Sequence, residues 1–359
     1  MLPVTLPVTF RLSVDFFPFN PVPTQSGVTI RDVAALAGVS HQTVSRVINK
    51  QERVSDETRQ RVETAIAELG YQPNAIARSM ARGRTFTLAC ISPNLTDFTY
   101  ASIIEGAESE VRQHGYFLLT ASAPDGDTFS TLVNQLLASR RTEGLLVITP
   151  FIESHHTQLP KNVSVVFVGS NPEQEWAASV NLNDENAGYM ATGHLIQLGH
   201  RRVAHITGPL KEESSRNRWK GYQAALRASG IAYSQEFVCE GDWSATSGFQ
   251  AVQHFLRNGI NFNAIFAQND RMAVGAIRAL RDAGKLIPQD VSVIGVDDMP
   301  LASYFDPPLT TIQQDTTLMG RLAANLLIED IEQKDKVCEH PLVEPKLIIR
   351  QSTSRFVQA

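Results

Sequence analysis

Cysteine is scarce in this sequence. Only Cys90, Cys239 and Cys338 occur among 359 residues, and no two of them form a CxxC pair. Their wide spacing argues against a disulfide framework and against a zinc site. This cysteine usage is typical of a protein from a reducing cytoplasm, which is the compartment we predict.

The short motifs of the common enzyme classes are also missing. The chain has no GxGxxG after a predicted strand, no P-loop, no GxSxG and no HExxH. The pair His155-His156 falls in a predicted loop, where a solvated tip is a better interpretation than a pair of metal ligands. The sequence therefore predicts a protein without catalytic residues, cofactor or metal.

No apolar run is long enough to cross a membrane. The first 27 residues are apolar, but they contain five prolines and lack a basic start followed by an uninterrupted apolar core. Such a segment does not resemble a secretory signal. We therefore predict no membrane association and treat residues 1–27 as a disordered or misassigned N-terminal extension.

The charge of the chain is unevenly distributed. Residues 28–84 contain nine Lys or Arg against six Asp or Glu, a net charge of +3, whereas the whole chain carries −5 and the remainder therefore −8. With 43% hydrophobic and 19% charged residues, the chain otherwise resembles an ordinary globular protein of two or three domains. A basic head on an acidic body is expected if only the head meets phosphates, although a solvated charged surface gives similar counts.

Residues 29–69 show a helical pattern with two short interruptions. The first apolar face stops at Gly38, Ser40 can cap a second helix, and Ser55 can cap a third helix that ends at Gly70. Three short helices around a small core are therefore predicted for this segment.

After residue 85 the pattern changes to alternating strands and helices, in two similar series joined near residues 182–183. The predicted strands cover residues 86–91, 116–120, 144–148, 165–168, 202–207, 264–267 and 291–296. Such alternation predicts parallel sheets with helices on both faces. Two lobes of this kind place a ligand in the cleft between them, where loops leave the carboxyl ends of the strands.

The segment 29–49 reads TIRDVAALAGVSHQTVSRVIN and has the features of a helix-turn-helix. Ala34 is small where the helices would cross, Gly38 permits the turn, and Ser40 starts the helix whose N-terminal end enters the major groove. Spacing alone leaves open an ordinary two-helix corner in a helical bundle.

Side chains on the outer side of the second helix are suited to reading DNA. Gln42 can form a bidentate pair with adenine and Arg46 with guanine, whereas neighbouring hydroxyl groups suit phosphate contacts. The DNA-binding residues predicted in this segment are Thr29, His41, Gln42, Thr43, Ser45, Arg46 and Asn49.

These residues closely resemble the N-terminal segment of the lactose-repressor (LacI/GalR) family of bacterial transcriptional regulators. The stretches VTIRDVAALAGVS, QTVSRVIN and VSDETRQRVETAIAELGYQPNAIARSM carry the likeness from Val28 to Met80. The lobes that follow resemble the effector-binding core of the family. The resemblance implies a helix-turn-helix domain over residues 28–72, a hinge helix and linker over 73–84, and a two-lobed α/β, periplasmic-binding-protein-like domain for effector binding and dimerisation over 85–359.

The resemblance also implies contacts in the minor groove. In the family, a hinge helix folds when two subunits meet on operator DNA, and the matching residues here are Asn74, Ala77 and Met80. Paired hinge helices insert an apolar side chain into a base step and kink the duplex. Most members place Leu at that position; because Met80 is apolar and adaptable, we expect the role to survive with a different kink geometry. The alternative is a linker residue that contacts nothing.

Further residues match ligand positions of the family in the cleft. In the second lobe, Arg218 matches an arginine that grips effector hydroxyls or a carboxylate, and Trp243 matches an aromatic wall. The other implied effector-binding residues are Asn269, Asp297 and Gln314 in the second lobe and Asp97, Phe98 and Tyr100 after the first strand of the first lobe. Polar groups with one aromatic wall suit a sugar or another polyhydroxylated effector.

Several of these cleft residues have a structural alternative. Asn269 and Asp297 can cap the helix or turn that follows, and Trp243 can belong to the core. If Asp297 is functional, we expect it to pair with a buried arginine or with ligand hydroxyls. Gly169 and Leu182 replace an acidic and an aromatic residue of the galactoside-binding type member of the family, so we expect a different effector here.

We therefore predict a cytoplasmic, homodimeric transcriptional repressor that binds a palindromic operator in double-stranded DNA under the control of a small effector. Because no leucine heptads follow Arg355, we expect a dimer rather than a tetramer. The alternative is a solute-binding protein of a transport system, which shares the two-lobed fold. Such a protein would need an export signal and would lack a helix-turn-helix, so the sequence favours the regulator.

Overall fold

The computed structural model describes residues 28–49, 54–72, 84–148, 159–160, 163–172, 177–332 and 338–357. The extension over residues 1–27 and the hinge residues Asn74, Ala77 and Met80 lie outside these ranges. The chain divides into two compact units between Gly83 and Arg84, at the end of the predicted linker.

The first unit contains the three predicted helices, which are α1 (Ile30–Ala37), α2 (His41–Ile48) and α3 (Asp56–Leu69). Val33, Val44 and Val62, one from each helix, are fully buried at the centre of their common core. An apolar stripe on each short helix therefore supplies the stability that a helix of this length lacks alone.

The ends of these helices follow the predicted capping residues. The hydroxyl groups of Ser40 and Ser55 accept hydrogen bonds from backbone amides three residues later, at 3.1 and 3.4 Å. Gly38 and Gly70 end α1 and α3 with φ of +64° and +60°, a conformation that glycine adopts without steric cost. The predicted three-helix segment is thus confirmed.

The second unit contains two lobes, each built around a six-stranded sheet. The strands are β1 (Thr87–Ser92), β2 (Phe117–Ser122), β3 (Gly144–Ile148), β4 (Ser164–Val168), β5 (Ala178–Leu182), β6 (Val203–Thr207), β7 (Val238–Glu240), β8 (Ala264–Ala267), β9 (Ser292–Asp297), β10 (Thr310–Gln313), β11 (Leu342–Val343) and β12 (Lys346–Ile348). Their order is β11-β5-β4-β3-β1-β2 in the first lobe and β12-β10-β9-β8-β6-β7 in the second. All neighbouring strands are parallel except β10 and β12.

Helices cover the faces of both sheets. They are α4 (Phe98–Gln113), α5 (Gly126–Ala138), α6 (Asp184–Gln197), α7 (Glu213–Ala228), α8 (Ala245–Arg257), α9 (Asp270–Asp282) and α10 (Thr316–Glu332). Because α10 and β11 return to the first lobe before β12 rejoins the second, the described chain crosses between the lobes three times. The predicted two-lobed α/β fold is confirmed. Among the described residues, no helix combines the length and the hydrophobicity that a membrane span requires.

Helix α7 begins six residues earlier than the hydrophobic pattern predicts. The pattern places its start at Trp219, but the polar residues from Glu213 onward are already helical. The reason is close packing of α6 on α7, in which a Cβ atom added at Gly188 would lie 2.1 Å from the carbonyl oxygen of Arg218. This contact extends the helix to the cleft and brings Asp184 next to Arg218.

Candidate DNA-binding and effector sites

Helix α2 has one buried and one exposed side. Val44 and Val47 point into the core of the first unit, whereas His41, Gln42 and Arg46 are exposed on the opposite side. Since the buried valines orient the helix, the three polar side chains form a surface that is free to meet base edges in a major groove.

Local hydrogen bonds hold the other predicted residues of this segment. Thr29 donates through its backbone amide and its hydroxyl group to Asp32, at 2.8 and 2.7 Å, and so closes the N-terminus of α1. The Thr43 hydroxyl lies 2.9 Å from that of Ser40. The Asn49 amide donates to the carbonyl oxygen of Ser45 at 2.8 Å. These residues stabilise helix ends, and a phosphate, which only accepts hydrogen bonds, would have to compete with these local partners for their donor groups.

The cleft between the two lobes collects the carboxyl ends of the parallel strands, as the topology predicts. Side chains after β1, β6, β8 and β9 meet there, and its apolar wall belongs to the first lobe. That wall consists of Ile103, Ile148, Val168, Leu182 and Met319. The cavity contains about 700 Å³ of space free of protein atoms, its open mouth included.

Arg218 lies at the floor of this cleft and is almost completely buried. Its Nε donates to Oδ1 of Asp184 at 2.7 Å, its Nη2 donates to Oε1 of Gln314 at 2.9 Å, and its Nη1 donates to the carbonyl oxygen of Gln268. Burial alone would lower the pKa of the guanidinium, but the carboxylates of Asp184 and Asp297 outweigh it and raise that pKa. Arg218 therefore stays charged and keeps two N–H groups for a ligand.

Asp297 lines the cavity without a hydrogen-bond partner among the residues that the structure describes. Its φ of +115° directs the end of β9 into the cleft, a strained conformation for a residue with a side chain. Burial raises its pKa to about 7, and Arg218 only partly offsets that effect. Of the two partners expected for Asp297, a buried arginine or ligand hydroxyl groups, the structure does not provide the arginine, because Arg218 pairs with Asp184.

Trp243 forms one wall of the cavity and also packs against the core of the second lobe. Its indole Nε1 donates to Oε2 of Glu212 at 2.8 Å, and the guanidinium carbon of Arg218 lies 5.5 Å from its ring centroid. A Cβ atom at Gly208 would lie 2.2 Å from the ring, so only glycine admits the indole at this place. Both interpretations of Trp243, aromatic wall and core residue, describe it in part.

The other predicted residues of the second lobe take structural positions. Asn269 lines the cavity, but its Oδ1 caps α9 by accepting from the amide of Met272 at 2.8 Å, and its amide group donates to the carbonyl oxygen of Trp243. Gln314 does not line the cavity, because it lies behind Arg218 and also donates to Asp184 at 3.2 Å. Gln314 is thus placed to orient the arginine rather than to touch a ligand.

Two of the three predicted residues of the first lobe line the cavity. Asp97 caps α4 by accepting from the amide of Thr99 at 2.9 Å, and it forms an ion pair with Arg271 across the cleft. Tyr100 lines the cavity beside it. Phe98 is 38% exposed and does not line it, since the first turn of α4 directs its side chain to solvent, and Thr99 lines the wall instead.

Sequence reasoning missed three charged residues of the cleft: Asp184, Glu212 and Arg271. Asp184 follows the predicted crossover near residue 182, so its place at a strand end was a usable signal. Glu212 and Arg271 also follow strands, β6 and β8, but that position does not show which partners in distant segments their side chains meet. Among the described residues, no group of three or more His, Cys, Asp or Glu side chains is arranged to hold a metal ion.

Comparison with known proteins identifies both parts of the chain. The pattern of bacterial regulatory proteins of the lacI family matches residues 29–74, and that of a periplasmic binding protein-like domain matches residues 192–353. The HTH-type transcriptional repressor PurR of Photobacterium profundum is 35% identical over 334 residues, covering 90% of this chain and 98% of the relative. The ribose operon repressor of Escherichia coli K12 is 36% identical over 329 residues, covering 90% and 99%.

Solved structures agree with these relatives. The lac repressor dimer bound to operator and the anti-inducer ONPF matches with a TM-score of 0.84 and 33% identity, covering 91% of this chain and 99% of that one. A complex of the transcriptional regulator CelR with cellobiose matches with a TM-score of 0.71 and 34% identity, covering 90% and 99%. The likeness extends over both units of the chain.

Proposed function

The chain belongs to the lacI family of bacterial regulatory proteins, and from this premise we propose that it is a cytoplasmic transcriptional repressor whose affinity for an operator is controlled by a sugar-like effector in the cleft. The observation that carries the proposal is the cleft between the two lobes. Arg218, Trp243 and the carboxyl group of Asp297, which has no hydrogen-bond partner among the described residues, all line its cavity. Asp297 is half-buried, and effector hydroxyl groups would supply a hydrogen-bond partner for its carboxyl group.

The relatives support this function over the transport alternative. The named curated relatives are transcriptional repressors rather than enzymes or transport proteins. One neighbour was solved with operator DNA and another with cellobiose, which supports DNA and a sugar as the two ligands of this chain. Effector binding that alters the closure of the lobes would couple the two sites through one free energy.

The test of this function is operator affinity with and without effector. We would select an operator from a random DNA pool, and then screen sugars by thermal shift and by fluorescence anisotropy on that operator. A compound that both raises the melting temperature and changes operator affinity supports the proposal. Tight operator binding that no sugar alters would contradict effector control.

Arg46 is proposed to read a base, so Arg46→Ala should weaken operator binding by about 1–3 kcal/mol and relax base preference at one position. The physical reason is the loss of two parallel hydrogen bonds to one base. Arg61→Ala on α3 removes the same charge away from the recognition surface and should weaken binding to operator and random DNA alike. If Arg46→Ala also weakens both DNAs equally, Arg46 contacts phosphate and the base-reading role fails.

A homodimer is proposed because the first lobe has an apolar edge. Within the described part of the chain, strand β2 pairs only with β1, and on it Phe117 is 75% exposed and Leu119 is 43% exposed. An unpaired apolar edge strand is an association surface. We expect Phe117→Asp to shift the protein from dimer to monomer in light scattering and to weaken operator binding, since the two half-sites require two heads.

The matched control for this substitution lies on the opposite edge of the same sheet. Leu342 on β11 is also exposed, and Leu342→Asp should leave the dimer intact. Monomers produced by Leu342→Asp, or a stable dimer of Phe117→Asp, would place the interface elsewhere.

A further inference from the structure

We propose that the cleft selects an electrically neutral, hydroxyl-rich effector and that Glu212 is the residue that excludes ligands carrying a carboxylate or phosphate group. This inference rests on the proposed function, because it names the chemical class that the effector site accepts. Charge selection follows from the ion pairs that the charged side chains of the cleft form with one another.

Negative side chains outnumber positive ones at the cavity wall. Four carboxyl groups and two guanidinium groups line it in the part of the chain that the structure describes. This excess of carboxyl groups does not by itself determine the charge of the ligand, because an arginine without a carboxylate partner would still attract an anion. The pairing of the two arginines is therefore the deciding observation.

Both arginines already have carboxylate partners from the protein. Arg218 is held by Asp184 at 2.7 Å, and Arg271 pairs with Asp97 on the opposite lobe. Each ion pair uses one positive and one negative charge of the wall. The charge that faces a ligand is then that of the two remaining carboxyl groups, Glu212 and Asp297.

Neither of these carboxyl groups has an ion-pair partner among the described residues. Burial outweighs the charges of Lys211 and Arg218 at Glu212, and of Arg218 and Arg271 at Asp297, and it raises both pKa values. Glu212 is only 7% exposed and accepts a hydrogen bond from the neutral indole of Trp243, and burial raises its pKa. Asp297 has no hydrogen-bond partner among the described residues. Both groups accept hydrogen bonds readily, so ligand hydroxyl groups satisfy them, whereas a ligand carboxylate would add a like charge in a poorly solvated space.

Glu212 also lies next to a helix end that would otherwise favour an anion. It is the N-cap residue of α7, a helix of 16 residues whose first turn includes Ser214 at the cavity wall. The N-terminus of a helix attracts negative charge through its free amide groups and its dipole. The carboxylate of Glu212 lies near this end without bonding to its amide groups, and its negative charge opposes the attraction that they would exert on an anionic ligand.

The pocket that adjoins the cleft offers no alternative anion site. It shares Gly169, Leu182 and Asp184 with the cleft, and among its described lining residues there is no Lys or Arg. Its polar groups are the carboxylates of Glu185 and Glu213 and several asparagine amides. A ligand long enough to extend from the cleft into this pocket therefore meets further acceptors and no cation.

The experiment compares matched ligands on full-length protein. Neutral sugars, each paired with its uronic acid and its phosphate ester, are titrated by calorimetry and in the operator assay. At a pH above the pKa of Asp297, where both Glu212 and Asp297 are ionised, we expect at least one neutral sugar to bind and to change operator affinity, and its anionic counterparts to bind about 100-fold more weakly.

Glu212→Gln tests the residue itself. The substitution keeps an acceptor for Trp243 and removes the charge, so affinity for the neutral sugar should change less than about threefold while affinity for the uronic acid rises about tenfold. Glu236→Gln removes a surface carboxylate of the same lobe and should leave both affinities unchanged.

The outcomes separate this inference from the function on which it rests. An anionic ligand that binds more tightly than its neutral partner, or an unchanged preference in Glu212→Gln, overturns charge selection and leaves effector control intact. Operator binding that no compound of the panel alters overturns effector control, and charge selection falls with it.

Discussion

Replacing Asp184 by alanine is expected to lower the free energy of unfolding by about 3–5 kcal/mol, because it leaves the guanidinium of Arg218 buried without its ion-pair partner. Asp184 accepts from Nε of Arg218 at 2.7 Å and from Gln314 at 3.2 Å, and the side chains of Asp184 and Arg218 are only 11% and 7% exposed. Water from the cleft would replace the lost carboxylate only in part, because it brings no negative charge to the guanidinium. Denaturant unfolding measured by circular dichroism gives the free energy.

Two further substitutions control this result. Asp184→Asn keeps an oxygen acceptor for Arg218 and should lose less stability than Asp184→Ala. Asp282→Ala breaks an exposed ion pair with Arg278 on α9 and should change stability by less than about 1 kcal/mol. If Asp184→Ala costs no more than Asp282→Ala, then Gln314, Asp297 and water suffice to hold Arg218, and the ion pair is not its main support.

Replacing Asp297 should have the opposite effect: the response of operator binding to effector should be lost, whereas the free energy of unfolding should be kept. Its carboxyl group has no hydrogen-bond partner among the described residues, so its removal breaks no hydrogen bond in this part of the protein, and Arg218 keeps its ion pair with Asp184. Loss of its hydrogen bonds to effector hydroxyl groups should weaken effector binding by about 1–3 kcal/mol. The loss should be larger if Asp297 is ionised in the complex. Operator affinity without effector should remain that of the unsubstituted protein.

Asn is the better substitute than Ala at this position. The φ of +115° is strained for alanine, whereas asparagine tolerates positive φ more readily and keeps the size of the side chain. The decisive measurement is operator affinity with and without effector for Asp297→Ala and Asp297→Asn. A full effector response in both variants would show that Asp297 has no role in binding.

The same carboxyl group should make effector binding depend on pH. The charged groups that act on Asp297 are Arg218, Asp97, Arg271, Asp184 and Asp270. Burial raises the pKa of Asp297 to about 7, so part of the free protein carries a protonated Asp297 near neutral pH. Effector hydroxyl groups that donate hydrogen bonds to Asp297 favour its ionised form, so effector binding releases a proton from it. Effector affinity should therefore rise with pH, by at most about tenfold per unit, and level off above pH 7. Asp297→Asn should remove this dependence.

The stability of the protein should respond to pH with the opposite sign. Because the folded pKa of Asp297 lies above its unfolded value, the folded state binds more protons between these values, and the contribution of Asp297 to stability falls as pH rises from about 4 to 7. The variant Asp297→Asn lacks this contribution and serves as the reference.

The helices of the first unit were predictable because their signals are local. Ser40, Ser55, Gly38 and Gly70 act on amide and carbonyl groups within three or four residues of themselves, so the sequence alone shows where each helix begins and ends. Seven of the twelve strands were predictable for a related reason, since short apolar runs between helical patterns leave few other interpretations, whereas β5, β7, β10, β11 and β12 were not predicted. The resemblance to the family then gave the order of the domains and the residues expected to line the cleft.

The double role of Asn269 shows where local reasoning stops. Its position after β8 allowed both a cap and a ligand contact, and the structure places it as the cap of α9 at the wall of the cavity. Phe98 and Gln314 do not line the cavity, each for its own reason. The first turn of α4 directs the side chain of Phe98 to solvent, and Arg218 lies between Gln314 and the cavity. Sequence spacing does not resolve such differences.

The sequence by itself determined the three-helix head, the two α/β lobes and the end of the strands at which a ligand would bind, because each follows from short-range periodicity and capping. Only the tertiary structure decided the pairing of charges in the cleft. Arg218 meets Asp184 across 34 positions and Arg271 meets Asp97 across 174. Such contacts depend on how lobes and helices pack, and a sequence pattern carries no information on which of several carboxylates will lie nearest a given arginine. That pairing leaves Glu212 and Asp297 facing the ligand, and it is the physical basis of the selectivity proposed for this site.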